Sequence, residues 1–152
     1  MVDTAVDGIN YTLAHASDKG VLGNPKIESM WPMCVYFRVL QAYYENTGDQ
    51  RVIDALHKHY LNFTSEEIGN WRNIISLEGM LWVYGKTSDR KLLERCEKAW
   101  NSGTFIDLVP ETCRNDERLV MHGVTCAEEL KLPMLLYAYT GNEMYRDLAL
   151  NA

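Results

Sequence analysis

The feature that most constrains this chain is a short turn that occurs three times, at residues 44–52, 84–92 and 137–145. Each copy starts at a tyrosine, has a threonine three residues later, and leads into an apolar residue eight residues after the tyrosine. Gly48 and Gly141 suit the left-handed residue that ends a helix, and the second copy has Ser88 there. The residue that follows suits the N-cap of the next helix in all three copies: Asp49, Asp89 and Asn142. Three helix-turn-helix hairpins in one chain predict a repeat architecture.

Apolar residues at helical spacing flank these turns and predict seven helices, without a convincing strand. We expect them near residues 4–16, 29–46, 50–63, 71–86, 90–100, 124–139 and from 143 to the end. The turn threonines are 40 and 53 residues apart, which is unequal and longer than the 34-residue tetratricopeptide unit. This spacing favours an all-α fold in which helical hairpin repeats form part of an α/α toroid. We expect residues 1–152 to be one truncated segment of such a toroid, with Leu148 and Leu150 on an open edge that allows self-association.

The bulk composition is that of an ordinary soluble globular domain, with 47% apolar and 24% charged residues. The net charge of -6 argues against a nucleic-acid partner, because phosphate binding needs a basic face. No apolar run approaches the roughly 20 residues of a membrane helix, so no membrane partner is expected, and the compartment stays open. The cysteines lack zinc-ligand spacing, and we interpret Cys34, Cys96 and Cys126 as small buried residues.

The segment 121–137 contains the first candidate for a functional residue. His122 and Gly123 follow the longest irregular stretch, at the point where a helix is predicted to begin. A histidine there can hydrogen-bond a substrate hydroxyl or carry a proton near neutral pH. Pro133 falls inside the same predicted helix and should kink it. The alternative interpretation is a capping histidine and a kink that serves packing alone.

Three further side chains complete the predicted binding set. Glu78 lies among apolar residues of the predicted helix 71–86, where a carboxylate needs a partner or a cavity. Arg72 lies on a neighbouring face of that helix, and Trp31 offers an aromatic surface of the kind on which sugar rings stack. The alternative is that the tryptophans, which include Trp71 and Trp82, are core residues. Glu128 and Glu129 are placed at the start of the helix 124–139, where the helix dipole favours a carboxylate.

The strongest family signal is the segment from His122 to Tyr145. It reads His122-Gly-Val-Thr125, then Leu-Lys-x-Pro133, then Tyr137-x-x-Thr-Gly-Asn. This segment resembles the "His-Gly-Val-Asn … Leu-Lys-x-Pro … Tyr-x-x-Thr-Gly-Asp" pattern of the β-L-arabinofuranosidase family of glycoside hydrolases, with Thr125 in place of the asparagine. Residues 31–52 are similar to an earlier inner helix and turn of that family, and residues 78–89 to its middle repeat.

The resemblance implies a piece of an (α/α)6 barrel that hydrolyses glycosidic bonds in plant-type polysaccharides or glycans. It implies a carbohydrate partner, with His122 facing the sugar pocket and Glu78 lining it. The family's acid/base glutamate and its zinc-bound cysteine nucleophile lie beyond the matching segments. We therefore expect no catalytic residue, no metal ligand and no cofactor in this chain, and no turnover by it alone.

Two other functions stay open at this point. One is a non-enzymatic helical repeat scaffold that binds protein. The other is a sugar isomerase or epimerase on the same kind of barrel, in which histidines transfer protons. Fold alone does not separate these from the hydrolase, because function resides in the site.

Overall fold

The computed structural model describes residues 2–23, 30–103 and 123–151, so His122 and Cys113 lie outside the described residues. Within these ranges the chain is all-α and contains no strand. No helix there is long and apolar enough to cross a membrane. A 3₁₀ helix, Trp71–Ser76, joins the α-helices, whose bounds are α1 Val2–Ala14, α2 Trp31–Thr47, α3 Gln50–Tyr60, α4 Ser65–Ile68, α5 Leu77–Thr87, α6 Arg90–Ser102, α7 Gly123–Glu129, α8 Leu132–Thr140 and α9 Glu143–Asn151.

Three antiparallel hairpins, α2–α3, α5–α6 and α8–α9, pack side by side. The middle hairpin joins the other two, because α5 contacts α2, α3 and α8. Between them lies one continuous apolar core, whose fully buried side chains include Leu40, Leu56, Leu81, Trp100 and Leu136. The predicted all-α fold built from helical hairpins is therefore confirmed.

The repeated turn has the same hydrogen bonds in all three copies. The residue after the threonine is left-handed, with φ of 70° at Gly48, 58° at Ser88 and 69° at Gly141. Its N–H donates to the carbonyl of the tyrosine four residues earlier at 2.7–2.8 Å. The threonine hydroxyl donates to a carbonyl of its own helix, at 2.7–2.9 Å. The following Asp or Asn then accepts from the N–H two residues ahead, at 3.0–3.1 Å. The predicted helix stop and N-cap are thus present in every copy.

The three turns lie at the same end of the hairpin array. Near the C-terminal ends of α2 and α5, Lys86 Nζ is 2.7 Å from Glu45 Oε1. Near the ends of α5 and α8, the rings of Tyr84 and Tyr139 are 5.9 Å apart. Since each contact is within one turn of a helix end, the turns are neighbours along one edge of the fold.

Two of the predicted helices have different boundaries in the structure. The region 71–86 begins as a 3₁₀ helix and becomes α-helical at Leu77. The region 124–139 is two helices, α7 and α8, which are separated at Leu130 and Lys131. The predicted position of Pro133 in a helix interior is wrong, because this proline lies in the first turn of α8, where its missing N–H has no helical partner to lose. The helix is interrupted just before it, at Leu130 and Lys131.

One apolar residue is placed differently from expectation. The sequence predicts Leu148 on an open edge, yet it is buried in the core, whereas Leu150 is 75% exposed. On α2 the buried face consists of Cys34, Phe37 and Leu40. Val35 is 60% exposed, because it lies 100° around the helix from Cys34.

Candidate functional site

The 3₁₀ helix Trp71–Ser76 is held at the opposite end of the array from the repeated turns. It packs against α2, α4 and α7. The amide of Asn73 fixes it, because Asn73 Oδ1 accepts from the N–H of Met30 at 3.0 Å and Asn73 Nδ2 donates to the carbonyl of Glu67 at 3.2 Å. The segment therefore has a defined position beside the first turn of α2.

Two tryptophans and one arginine converge there, and we call Trp31, Trp71 and Arg72 the tryptophan–arginine site. The Arg72 Cζ atom is 4.8 Å from the ring centroid of Trp71 and 5.6 Å from that of Trp31. Both distances are within the range of cation–π attraction, about 6 Å. Trp71 is 44% exposed, so much of its indole is open to solvent.

The backbone of Trp71 is strained. Its φ is +47°, a region in which the Cβ of an L-residue crowds the backbone at a cost of about 1–2 kcal/mol. Such strain persists where the surrounding structure enforces it, and it concentrates at ligand-binding positions. Trp71 is the first residue of the 3₁₀ helix, and the hydrogen bonds of Asn73 that anchor this helix supply that enforcement.

A second feature, the ion cluster, consists of Arg38, Glu78, Glu128 and Lys131. Arg38 donates to Glu78 Oε2 at 3.1 Å from Nε and 2.7 Å from Nη2, and its Nη1 and Nη2 donate to the two oxygens of Glu128. Lys131 Nζ donates to the same Oε2 atoms of Glu78 and Glu128, at 2.8 and 2.7 Å. The cluster joins α2, α5 and α7 to the residue that precedes α8, with two positive and two negative charges.

The cluster keeps the Glu128 carboxylate ionised. Hydrogen bonds from Arg38 and then Lys131 lower the pKa of Glu128 from 4.5 to about 2, against the opposing effect of burial. The hydrogen bonds of Arg38 to Glu128 and to Glu78 raise the pKa of Arg38, against the opposing effect of burial. A carboxyl group with so low a pKa is a poor general acid near neutral pH. The cluster is therefore suited to holding charges in place and not to donating protons.

Cys34 lies between these two features on α2. Its Sγ is 3.3 Å from Ser76 Oγ at the end of the 3₁₀ helix. Trp31, Cys34 and Arg38 are three and seven residues apart, which places them on one face of the helix. Burial raises the pKa of the Cys34 thiol, so it is protonated at neutral pH and lacks the reactivity of a thiolate. It packs as a small residue, as predicted from its helical pattern.

Three of the four predicted binding residues are described in the structure, and they lie at two different places. Trp31 and Arg72 are brought together. Glu78 is in the ion cluster, bound to Arg38 and Lys131, and not beside Arg72. His122 lies outside the described residues, so its predicted place in a pocket stays a prediction. Sequence reasoning missed Arg38 and Lys131, because neither has a spacing signal that points across helices.

The position of Glu128 on its helix also differs from expectation. Glu128 and Glu129 are at the C-terminal end of α7 and not at the start of a helix. The helix dipole disfavours a carboxylate at a C-terminus. For Glu128, contacts with Arg38 and Lys131 offset this effect.

Comparison with known proteins found no match. No protein-family model, curated protein or solved structure matches this chain. The arrangement of the tryptophan–arginine site and the ion cluster is therefore the basis of the functional conclusion.

Proposed function

We propose that this chain binds carbohydrate at the tryptophan–arginine site, as part of a glycoside hydrolase barrel of the β-L-arabinofuranosidase type. The observation that carries the proposal is Trp71, an indole that is 44% exposed and held at a φ of +47°. An indole that served only to fill the core would be covered and would adopt a relaxed backbone. Trp71 instead has an enforced backbone position and remains 44% exposed, so part of its surface is open to a ligand.

The chemistry of the site fits a sugar. The C–H bonds on one face of a sugar ring are apolar and pack on an aromatic ring, while its hydroxyl groups need polar neighbours. Trp31 and Trp71 supply the aromatic surface, and the Arg72 guanidinium supplies donors beside it. Small-molecule sites typically combine aromatic rings with a small number of well-placed polar groups.

The ion cluster supports binding without cleavage by this chain. A pair of carboxylates that cleaves a glycoside needs one member that holds a proton. Glu78 and Glu128 share Arg38 and Lys131, and the pKa of Glu128 is about 2. The cluster thus braces α2, α5 and α7 behind the site, and the proton-transfer residues of the parent barrel would come from elsewhere.

Isothermal titration of the chain with neutral arabino-oligosaccharides tests the proposal. We expect saturable binding by the wild type, loss of binding in Trp71→Ala, and partial retention in Trp71→Phe, which keeps an aromatic face. Trp82→Phe is the matched control, because Trp82 is bonded to Glu45 near the repeated turns. No release of L-arabinose from the same ligands is expected.

Two results would contradict this function. One is the absence of saturable binding at millimolar concentrations of every oligosaccharide in the series. The other is equal affinity of Trp71→Ala and the wild type, which would show that the sugar binds elsewhere.

A protein-binding scaffold is the second candidate function. Val35 and Val39 are 60% and 45% exposed, one turn apart on α2, and exposed apolar pairs of this kind occur at interfaces. The double variant Val35→Asp, Val39→Asp separates the two functions. Under the carbohydrate proposal it binds oligosaccharide like the wild type, whereas a scaffold would show no oligosaccharide binding in either protein.

A further inference from the structure

Arg72 differs from the other partly buried arginines in what it contacts. Within the described residues, each of the others donates to oxygen acceptors: Arg38 to Glu78 and Glu128, Arg95 to the carbonyls of Tyr60 and Phe63, and Arg146 to Asp147. In the same part of the chain, Arg72 has contacts with the rings of Trp31 and Trp71 alone. Its five N–H donors are thus not used by a described residue.

The ring contacts leave the useful part of the guanidinium available. A guanidinium that lies over an aromatic ring interacts through its face, while its N–H bonds point outward in its own plane. Two parallel N–H bonds of this kind match the two oxygens of a carboxylate. Contacts with two indoles also reduce the rotamer freedom that Arg72 would lose on binding an anion.

Three described carboxylates have partners other than Arg72. Glu78 accepts from Arg38 and Lys131, and Glu128 accepts from the same two side chains. Glu67, at the end of the connection to the 3₁₀ helix, accepts from the N–H of Thr64 at 2.7 Å in a capping box. The charges of the ion cluster sum to zero, and none of the ion pairs between described residues includes Arg72. Its positive charge beside the aromatic surface is therefore not neutralised by a described residue.

Resting on the proposed carbohydrate function, we infer that the tryptophan–arginine site selects a uronic acid, with Trp71 against the sugar ring and Arg72 bidentate to its carboxylate. A neutral sugar offers Arg72 only hydroxyl oxygens, whose hydrogen bonds are weaker than those of a charged acceptor. The ligand class is therefore an acidic oligosaccharide, in which a uronate unit occupies this site. The arginine is the specificity-determining residue, and the indole supplies affinity for the sugar ring.

The experiment compares two ligands with the same sugar backbone, tri-galacturonic acid and its fully methyl-esterified form, in which each charged carboxylate is replaced by a neutral ester. Titration calorimetry at low salt should show the acid binding about tenfold more tightly, which is the effect of one charge-assisted hydrogen-bonded contact. This preference should shrink as sodium chloride is added, because salt screens an exposed pair. Arg72→Gln should abolish the preference but keep binding of the ester, and Arg72→Lys should keep a part of it, because lysine has the charge without the planar fork.

Arg90→Gln is the matched control, since Arg90 is exposed on the first turn of α6 and its loss changes the net charge equally. It should leave the preference unchanged. Equal binding of acid and ester by the wild type would overturn the uronate inference and leave the carbohydrate function standing. If neither ligand binds and no neutral oligosaccharide binds either, both the uronate inference and the carbohydrate function are overturned. Inorganic sulfate that binds as tightly as the acid, with the same dependence on Arg72, would show a general anion site and would also overturn the inference.

Discussion

Glu128→Gln tests whether the ion cluster stabilises the fold through charge. Lowering the pKa of Glu128 from 4.5 to about 2 corresponds to about 3 kcal/mol of folding free energy, at about 1.4 kcal/mol per pH unit. The side chain is 26% exposed, and screening by solvent reduces the effect to about 2 kcal/mol. Because the pKa is lower in the folded state, this stabilisation is complete above pH 4.5 and is lost as the pH falls toward 2.

The assay is urea unfolding of the wild type and Glu128→Gln, followed by circular dichroism at several pH values between 7 and 3. We expect the variant to be less stable by about 2 kcal/mol at pH 7, and the two proteins to converge as the pH falls below 4.5. Other titrating groups are the same in both proteins, so the difference isolates Glu128. Glu66→Gln is the control, because its pair with Lys98 lies on the surface, and it should have a small effect. A difference that stayed constant from pH 7 to 3 would refute an electrostatic role for Glu128.

Three further predictions concern the stability of the fold, each measured by urea unfolding. Ser88→Gly should stabilise by about 0.5–1 kcal/mol, because it relieves a left-handed non-glycine residue at some cost in chain entropy, and Gly48→Ser should do the opposite. Burial lowers the pKa of His59 to about 4, so the wild type should lose stability as the pH falls from 6.5 toward 4, and His59→Gln should lose less over the same range. Gly69→Ala should cost about 1–3 kcal/mol, since its Cβ would be 2.8 Å from a carbonyl oxygen of α6, whereas a Cβ at Gly8 has nothing within 4 Å and Gly8→Ala should stabilise.

The repeated turns were predictable because all of their determinants are local. A left-handed residue, the N-cap after it and the threonine before it lie within three positions, so the sequence contains the whole hydrogen-bond pattern. The same locality let Ser88 be identified as the copy that lacks the glycine advantage, and its φ of +58° bears this out.

The site was only partly predictable, because its determinants act between helices. Trp31 and Arg72 were chosen for their chemistry, but nothing in their spacing brings them within 5.6 Å of each other. Arg38 and Lys131 are 93 positions apart in the sequence and meet only because α2, α5 and α7 pack together. The position of Pro133 was mispredicted for a related reason. Continuous apolar spacing predicts one helix with Pro133 in its interior, whereas the helix is interrupted two residues earlier.

The distance between the repeated turns and the tryptophan–arginine site explains how one chain can contain both a repeated turn and a single specific site. The turns lie at one end of the hairpins, and the tryptophan–arginine site lies at the other, about 24 Å away along α2 at 1.5 Å per residue. At the turn end, each connection has the same short geometry because it must place two helices side by side. At the opposite end, the connection that leads into α5 is longer and contains α4 and the 3₁₀ helix. A strained tryptophan is tolerable there because a change in that connection does not alter the turns that set helix packing, and loops on a rigid scaffold are where binding residues concentrate. If this is correct, Trp71→Ala should abolish oligosaccharide binding and leave the urea transition as cooperative as in the wild type, whereas a broadened transition would mean that the same residue also sets the packing.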